Sequence, residues 1–377
     1  MQTTDIIYML TALALAALVA FTTTPAVSVL AHKIGAIDVP KDSRRMHKKP
    51  IPRIGGLAIF FGFVVATLVF CEMTPELVAI YAGGLVVVAV GVIDDVFRIN
   101  AWIKLIAQIG VALIAVSQGI VLEYINLFGR YVHFGMWAIP ITVLWIVGLT
   151  NAINLIDGLD GLACGVSAIC SVSLLLVMLL KGDVGAAMTT AVIVGACLGF
   201  LPFNTNPARI FMGDTGALFL GYTMAVISVS GVFKLHTVIS FIIPISIFAL
   251  PLLDTTFAVF RRISHGKNPF SPDRGHLHHR LIDLGFNQKQ SVAILYAICA
   301  ILGTSAIMFT EENFGRAAVI IAVGILIFLV NFIILRHSSV RGKMGLDLSE
   351  PVDSDNYKKR EDKNHDAASD VHNGEAK

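Results

Sequence analysis

The chain has 377 residues, of which 56% are hydrophobic and only 14% charged, and its mean hydropathy is +0.78. A soluble protein of this size carries nearer a quarter of charged residues, so the composition excludes an ordinary water-soluble fold and points to a bilayer. No nucleic-acid partner is expected, and the near-neutral formal charge of +2 conceals a strong asymmetry along the chain.

A helix that crosses a bilayer needs about 20 apolar residues. Eleven segments answer to that description, at 6–27, 54–71, 77–93, 102–120, 135–153, 161–180, 185–202, 214–233, 237–259, 291–309 and 316–335. The first is too long and too weakly basic at its start for a cleaved signal peptide. The basic run Lys41 to Arg53 precedes the second span, and Asp94-Asp95 follows the third. Asn154, Asp157 and Asp160 occupy the junction of the fifth and sixth. Asn204, Arg209 and Phe211-Met212-Gly213-Asp214-Thr215-Gly216 lie between the seventh and eighth. The ninth contains Pro244 and Pro251, which remove backbone hydrogen bonds and bend a helix. The longest internal loop carries Arg261, Arg262, Asp273, Arg274, His276, His278 and His279. The expected fold is therefore an all-α polytopic membrane protein of about eleven transmembrane helices, with a site built from cytoplasmic loops. Residues 1–335 form the membrane domain, and 336–377 a polar tail too poor in large apolar residues to pack.

Of the 28 Lys and Arg residues, 24 fall in the loops on the C-terminal side of this topology or in the tail. That bias places the C-terminus and those loops in the cytoplasm and the N-terminus outside. Every unusual polar cluster above is on the same cytoplasmic side. The five cysteines lie in or beside apolar segments with no C-x-x-C pair, as buried inert thiols do.

Carboxylates this close to hydrocarbon cost several kcal/mol (roughly) unless a cation or partner neutralises them, so they mark function by default. Asn and Asp suit a hard cation such as Mg²⁺, which keeps only one or two protein ligands beside water and phosphate oxygens. Arg, Lys and His supply the positive charge that transferring phosphoryl groups require. Three-residue spacing stacks Asn154, Asp157 and Asp160 on one face if the helix continues. Asp94 and Asp95 point about 100° apart on a helix, so at most one faces the reaction centre. His276, His278 and His279 are also readable as a zinc site or a solvated loop, and Phe211 as a membrane-edge anchor. A secondary transporter remains the rival class, since intramembrane acids and Pro-interrupted helices occur there too.

Taken together, Gly91-Val92-Ile93-Asp94-Asp95, Asn151-Ala152-Ile153-Asn154-Leu155-Ile156-Asp157-Gly158-Leu159-Asp160-Gly161, the Phe211–Gly216 run and His47-Lys48-Lys49-Pro50-Ile51-Pro52-Arg53-Ile54-Gly55-Gly56 resemble the polyprenyl-phosphate N-acetylhexosamine-1-phosphate transferases. The resemblance covers roughly residues 5–335. The loop Ser271-Pro272-Asp273-Arg274-Gly275-His276-Leu277-His278-His279 looks like the WecA branch, with TagO relatives sharing much of it and the MraY branch framing its histidines differently. The resemblance implies transfer of GlcNAc-1-phosphate from UDP-GlcNAc to undecaprenyl phosphate in the bacterial inner membrane, with Mg²⁺ or Mn²⁺. It feeds O-antigen, enterobacterial common antigen or a related glycan, and relatives suggest a homodimer. By position, Asp214 and Asn154 would hold the metal. Asp94 would be the base or nucleophile, and Asp95, Asp157 and His279 would be further catalytic groups. Asp160, Gly158, Leu159, Asn204 and Phe211 would hold the nucleoside, and Lys48, Arg274, His276 and His278 the sugar or phosphates.

Overall fold

The computed structural model describes residues 2–39, 50–127, 130–232, 241–266 and 275–325. They belong to one compact unit, Met1–Ile325. The polar tail expected beyond residue 335, together with Lys48 and Arg274, lies outside the described residues.

Each expected span overlaps a described helix or a pair of helices. In chain order these are α1 (Thr3–Ile34), α2 (Gly56–Phe70), α3 (Pro75–Phe97), α4 (Ala101–Ser117), α5 (Ala138–Leu155), α6 (Leu162–Lys181), α7 (Val184–Asn204) and α8 (Gly213–Ile227). They continue with α9 (Ile242–Ile247), α10 (Ala249–Ser264), α11 (Leu277–Asp283), α12 (Gln288–Thr310) and α13 (Phe314–Ile325). Among the described residues six helices are long and apolar enough to cross a membrane: α1, α3, α5 with the turn before it, α6, α7 and α12. The protein is thus a multi-pass membrane protein, and six of the eleven expected spans meet both limits among the described residues. Helix α2 has only 15 residues, about 22 Å of rise, whereas the 15 residues of α8 run on into a π-helical turn, Ser228–Val232.

Two further departures have local causes. The ninth expected span breaks at Phe248, between Pro244 and Pro251, where the missing amide donors weaken the helical ladder. The fold is also not purely helical. Strands β1 (Ile37–Asp38) and β2 (Ile51–Pro52) pair antiparallel, as do β3 (Tyr124–Leu127) and β4 (Arg130–His133). Such short ribbons carry too few residues for a periodic pattern to reveal.

Helix α1 packs on α2 and α7, with Ala16 and Ala20 against Gly62 of α2 and the backbone of Leu13 and Ala17 against Gly195 and Gly199 of α7; small side chains let helix backbones come close where lipid offers no hydrophobic drive. Helices α6 and α7 are buried over most of their length. The packing that matters for the site is α3 on α8 and α4 on α5. Gly91 makes the first possible: a Cβ there would lie 2.4 Å from Thr215 Cα and 2.6 Å from Thr215 N. The second is pinned by a reciprocal amide pair between Gln108 and Asn151.

Replacing Gly91 by Ala drives a methyl into the α8 backbone and is expected to cost about 1–3 kcal/mol. Gly110→Ala, at a position with nothing within 4 Å, serves as the control. Thermal denaturation in detergent should show a lowered midpoint for the first variant and none for the second.

Candidate active site

The N-terminus of α8 has no cap of its own. Its first free amides are taken instead by Asp95, at the end of α3. Asp95 Oδ1 accepts from Asp214 N at 3.2 Å, and Oδ2 accepts from Thr215 N at 3.1 Å and from Thr215 Oγ1 at 2.8 Å. Arg53 Nη2 lies 3.5 Å from Oδ1, and the Asp95 side chain is fully enclosed. A carboxylate at a helix N-terminus also meets the positive end of the dipole. Asp95 therefore positions the site, where the sequence suggested a catalytic role for it.

Asp94 faces elsewhere, as the 100° offset requires. Its Oδ1 accepts from Ile99 N at 2.9 Å, closing the end of α3, and its Oδ2 accepts from Lys104 Nζ at 3.1 Å. Lys104 Nζ also donates to Asp214 Oδ2 at 2.8 Å, and Asn154 Nδ2 donates to the same oxygen at 3.1 Å. One ammonium on α4 thus joins the acids of α3 and α8. Lys104 was not singled out from the sequence. The signal was there: a lone cation in the first turn of an otherwise apolar helix is costly without a partner.

These groups border a cavity of about 950 Å³. Asn154, Asp157, Gly158, Leu159, Asp160, Asn204, Phe211, Asp214 and His279 all line it. Arg53, Arg98 and Arg209 add cationic side chains to the wall. Asp94, Asp95, His276 and His278 are not on the wall but stand behind it. Of the basic run before α2, the described residue on the wall is Arg53, placed by Arg53 N bonding Ala36 O and by Phe211 N bonding Pro52 O. Asp157 lies in the α5–α6 connection. Burial, and then the negative charges of Asp214 and Asp95, push its carboxyl up to about 8, with Arg53 in partial opposition.

The histidines form a file leading to the cavity. His276 Nδ1 is 2.9 Å from Asp254 Oδ2, and Asp254 Oδ1 accepts from Leu277 N at 2.8 Å. His276 stacks on His278 with centroids 5.8 Å apart, and His278 meets His279 at 4.3 Å. Asp254, on α10 just past the Phe248 break, thus anchors the file and was another residue that sequence reasoning missed. Gly158 takes part in a way the sequence did not suggest. A Cβ there would lie 2.3 Å from His278 Nε2, so the histidine ring occupies the approach that was expected for substrate.

Residues 77–232 match the family described as glycosyl transferase family 4. The chain is 42% identical over 310 residues to a probable undecaprenyl-phosphate N-acetylglucosaminyl 1-phosphate transferase of Bacillus subtilis (strain 168), covering 81% of this chain and 86% of that protein. It is 33% identical to a decaprenyl-phosphate N-acetylglucosaminephosphotransferase of Mycolicibacterium smegmatis, covering 84% and 85%. It is 28% identical to an undecaprenyl-phosphate alpha-N-acetylglucosaminyl 1-phosphate transferase of Yersinia pestis, covering 80% and 84%.

Burial, and next the charge of His279, lower His278 to about 4, against an ordinary value near 6.5. The native state therefore favours the neutral ring, while the unfolded chain takes up a proton below about pH 6.5, so stability falls as pH drops from there toward 4. At about 1.4 kcal/mol per pKa unit this amounts to a few kcal/mol. His278→Gln should flatten the acid limb of the melting temperature between pH 7.5 and 4.5, without altering the neutral-pH side in the same way.

Proposed function

Because the chain belongs to the polyprenyl-phosphate sugar-1-phosphate transferases of glycosyl transferase family 4, membrane enzymes acting on a nucleotide sugar and a polyprenyl phosphate, we propose that it transfers GlcNAc-1-phosphate from UDP-GlcNAc to undecaprenyl phosphate. The products are undecaprenyl-diphosphate-GlcNAc and UMP. The observation that carries this reading is the single cavity on which the acids Asp157 and Asp214 meet Arg53, Arg98, Arg209 and His279. The 42% identity to the Bacillus relative supports GlcNAc and the undecaprenyl carrier. The charge asymmetry of the loops supports a cytoplasmic site and C-terminus.

The donor set suits Mg²⁺ or Mn²⁺. Asp157 and Asp214 offer hard oxygens on one wall. Among the described residues no group of three His, Cys, Asp or Glu surrounds a common point, and Mg²⁺ does not need one when water and phosphate oxygens complete its shell. Asp214 and Asp157, with Asn154 beside them, are the residues that would hold it. The ion would draw charge from the diphosphate and weaken the repulsion between the two anionic substrates.

In the reaction, an oxygen of the lipid phosphate attacks the sugar-bearing phosphorus of the nucleotide sugar. A new P–O bond forms, the bond to the bridging oxygen breaks, and UMP leaves with the electron pair. A phosphate is already a competent oxygen nucleophile near neutral pH, so alignment and charge neutralisation matter more than a strong base. We read direct displacement rather than an aspartyl-phosphate. Asp94 has one oxygen bonded to the Ile99 amide and the other to Lys104, and it does not reach the cavity wall. The arginines and His279 take the phosphoryl charge, while Lys104 and Asn154 fix the Asp214 carboxylate.

Purified protein with sugar-labelled UDP-GlcNAc, undecaprenyl phosphate and Mg²⁺ should form labelled lipid and UMP; no product from any of several UDP-sugars would defeat the proposal. Asp214→Asn and Asp157→Asn should each lower kcat by at least about 10³-fold. Lys104→Met should lower it by about 10²-fold, since Asp94 and Asp214 then repel with nothing between them. Exchange of labelled UMP into UDP-GlcNAc without lipid acceptor would instead establish a covalent intermediate.

A further inference from the structure

Asp157 lines the cavity, yet among the described residues no amide or side chain donates a hydrogen bond to its carboxylate. Its place therefore follows from the backbone of the connection that carries it, residues 156–161. That connection is not fixed by its own two helices. Helix α5 packs on α8, and α6 on α7 and α12, while α5 and α6 barely touch each other. The ties come from elsewhere. The ring of His278 fills the space over Gly158, and Asp160 Oδ2 accepts from Asn206 Nδ2 at 2.9 Å and from Ala208 N at 3.0 Å. The third tie comes from α12. Tyr296 Oη donates to Gly161 O at 2.5 Å, and among the described residues Tyr296 is the one side chain that hydrogen-bonds the backbone of 156–161.

Gly161 opens α6 in the left-handed region, at φ 78°, with no side chain to cap the helix. Its carbonyl already accepts from Gly165 N at 2.9 Å, and its second lone pair takes the tyrosine hydroxyl. Gly165 admits the ring, since a Cβ there would run into the Tyr296 hydroxyl and Cζ. Helix α12 thus meets α6 at the carbonyl where the Asp157 connection becomes helix.

We propose that Tyr296 is a positioning residue: by pinning Gly161 to α12 it fixes where the Asp157 carboxylate stands relative to Asp214, and so how tightly the pair holds a divalent cation. The inference rests on the reading of those two acids as the holders of the metal. Asp214 is fixed on its own account, by Lys104 and Asn154. Asp157 has no such donor, so its half of the site is only as exact as its backbone. Groups that orient a metal ligand from behind change metal affinity or activity by about 10–100-fold when they are removed.

The test is Mn²⁺ binding to the full chain in detergent without substrate, read from the electron paramagnetic resonance signal of the free ion. Tyr296→Phe keeps the ring against Gly165 and leaves Gly161 O its helical bond, so the fold is retained. Its Mn²⁺ dissociation constant should rise about tenfold or more. In turnover, the Mg²⁺ concentration for half-maximal rate should rise in step. At saturating metal kcat should recover, with the KM for polyprenyl phosphate unchanged throughout. Tyr222→Phe is the control, because Tyr222 Oη also donates to a backbone carbonyl, Ala79 O at 2.8 Å, but between α8 and α3. It should lower the melting temperature and leave Mn²⁺ affinity as it is. Wild-type affinity in Tyr296→Phe, or an equal loss of affinity in Tyr222→Phe, would overturn the proposal. Wild-type Mn²⁺ binding that survives Asp157→Asn would instead remove the metal reading, and this inference with it.

Discussion

The site depends on one carboxylate set against one helix end. Asp95 is enclosed at the junction of α3 and α8, where it takes both early amides and the Thr215 hydroxyl of α8. Without it, α8 would begin with buried donors unpaired, and Arg53 would lose its counter-charge. With it, Asp214 is held in the first turn of α8, facing the cavity, and Arg53 is drawn to the same rim. The adjacent pair Asp94-Asp95 thus divides its labour by helical geometry alone. One acid serves the neighbouring helix, the other the ammonium of Lys104.

A second constraint is electrostatic. Asp94, Asp157 and Asp214 are gathered within reach of hydrocarbon, where like charges repel strongly and water screens little. Lys104 between Asp94 and Asp214, and Arg53 beside Asp95, offset part of that repulsion. The Gln108–Asn151 pair lies one turn from Lys104 and about one turn from Asn154 on their two helices. Locking those amides holds the Lys104 ammonium and the Asn154 amide on the same oxygen of Asp214. The histidine file is supported from the far side, by Asp254 on the helix that starts at the Phe248 break.

Most of this was visible in the chain before any coordinates. Helix positions follow from apolar length, and α3, α6, α7 and α12 begin and end within a few residues of the expected limits. The wall residues Asn154, Asp157, Asp160, Asn204, Phe211 and Asp214 stood out as polar or aromatic groups beside hydrocarbon. What escaped has a physical pattern. Lys104 reaches Asp214 across 110 residues and Asp254 reaches His276 across 22, and no local periodicity reports a partner at that distance. At Asp95 residue type suggested chemistry, and packing gives it the amides at the start of α8. A carboxylate reads the same in sequence whether it meets a ligand or a helix end.

The Asp95 cap also bears on how the protein assembles. Its partners are 119 and 120 residues further along the chain, so four helices must enter the membrane before α8 arrives to receive it. Closing so long a loop is slow relative to local helix formation. Until then α3 carries a buried acid whose partners have not yet been made. A chain that stops before Gly213 lacks both the acid of the cavity and the amides that satisfy Asp95. Completion of the catalytic pocket and completion of the fold are therefore the same docking event.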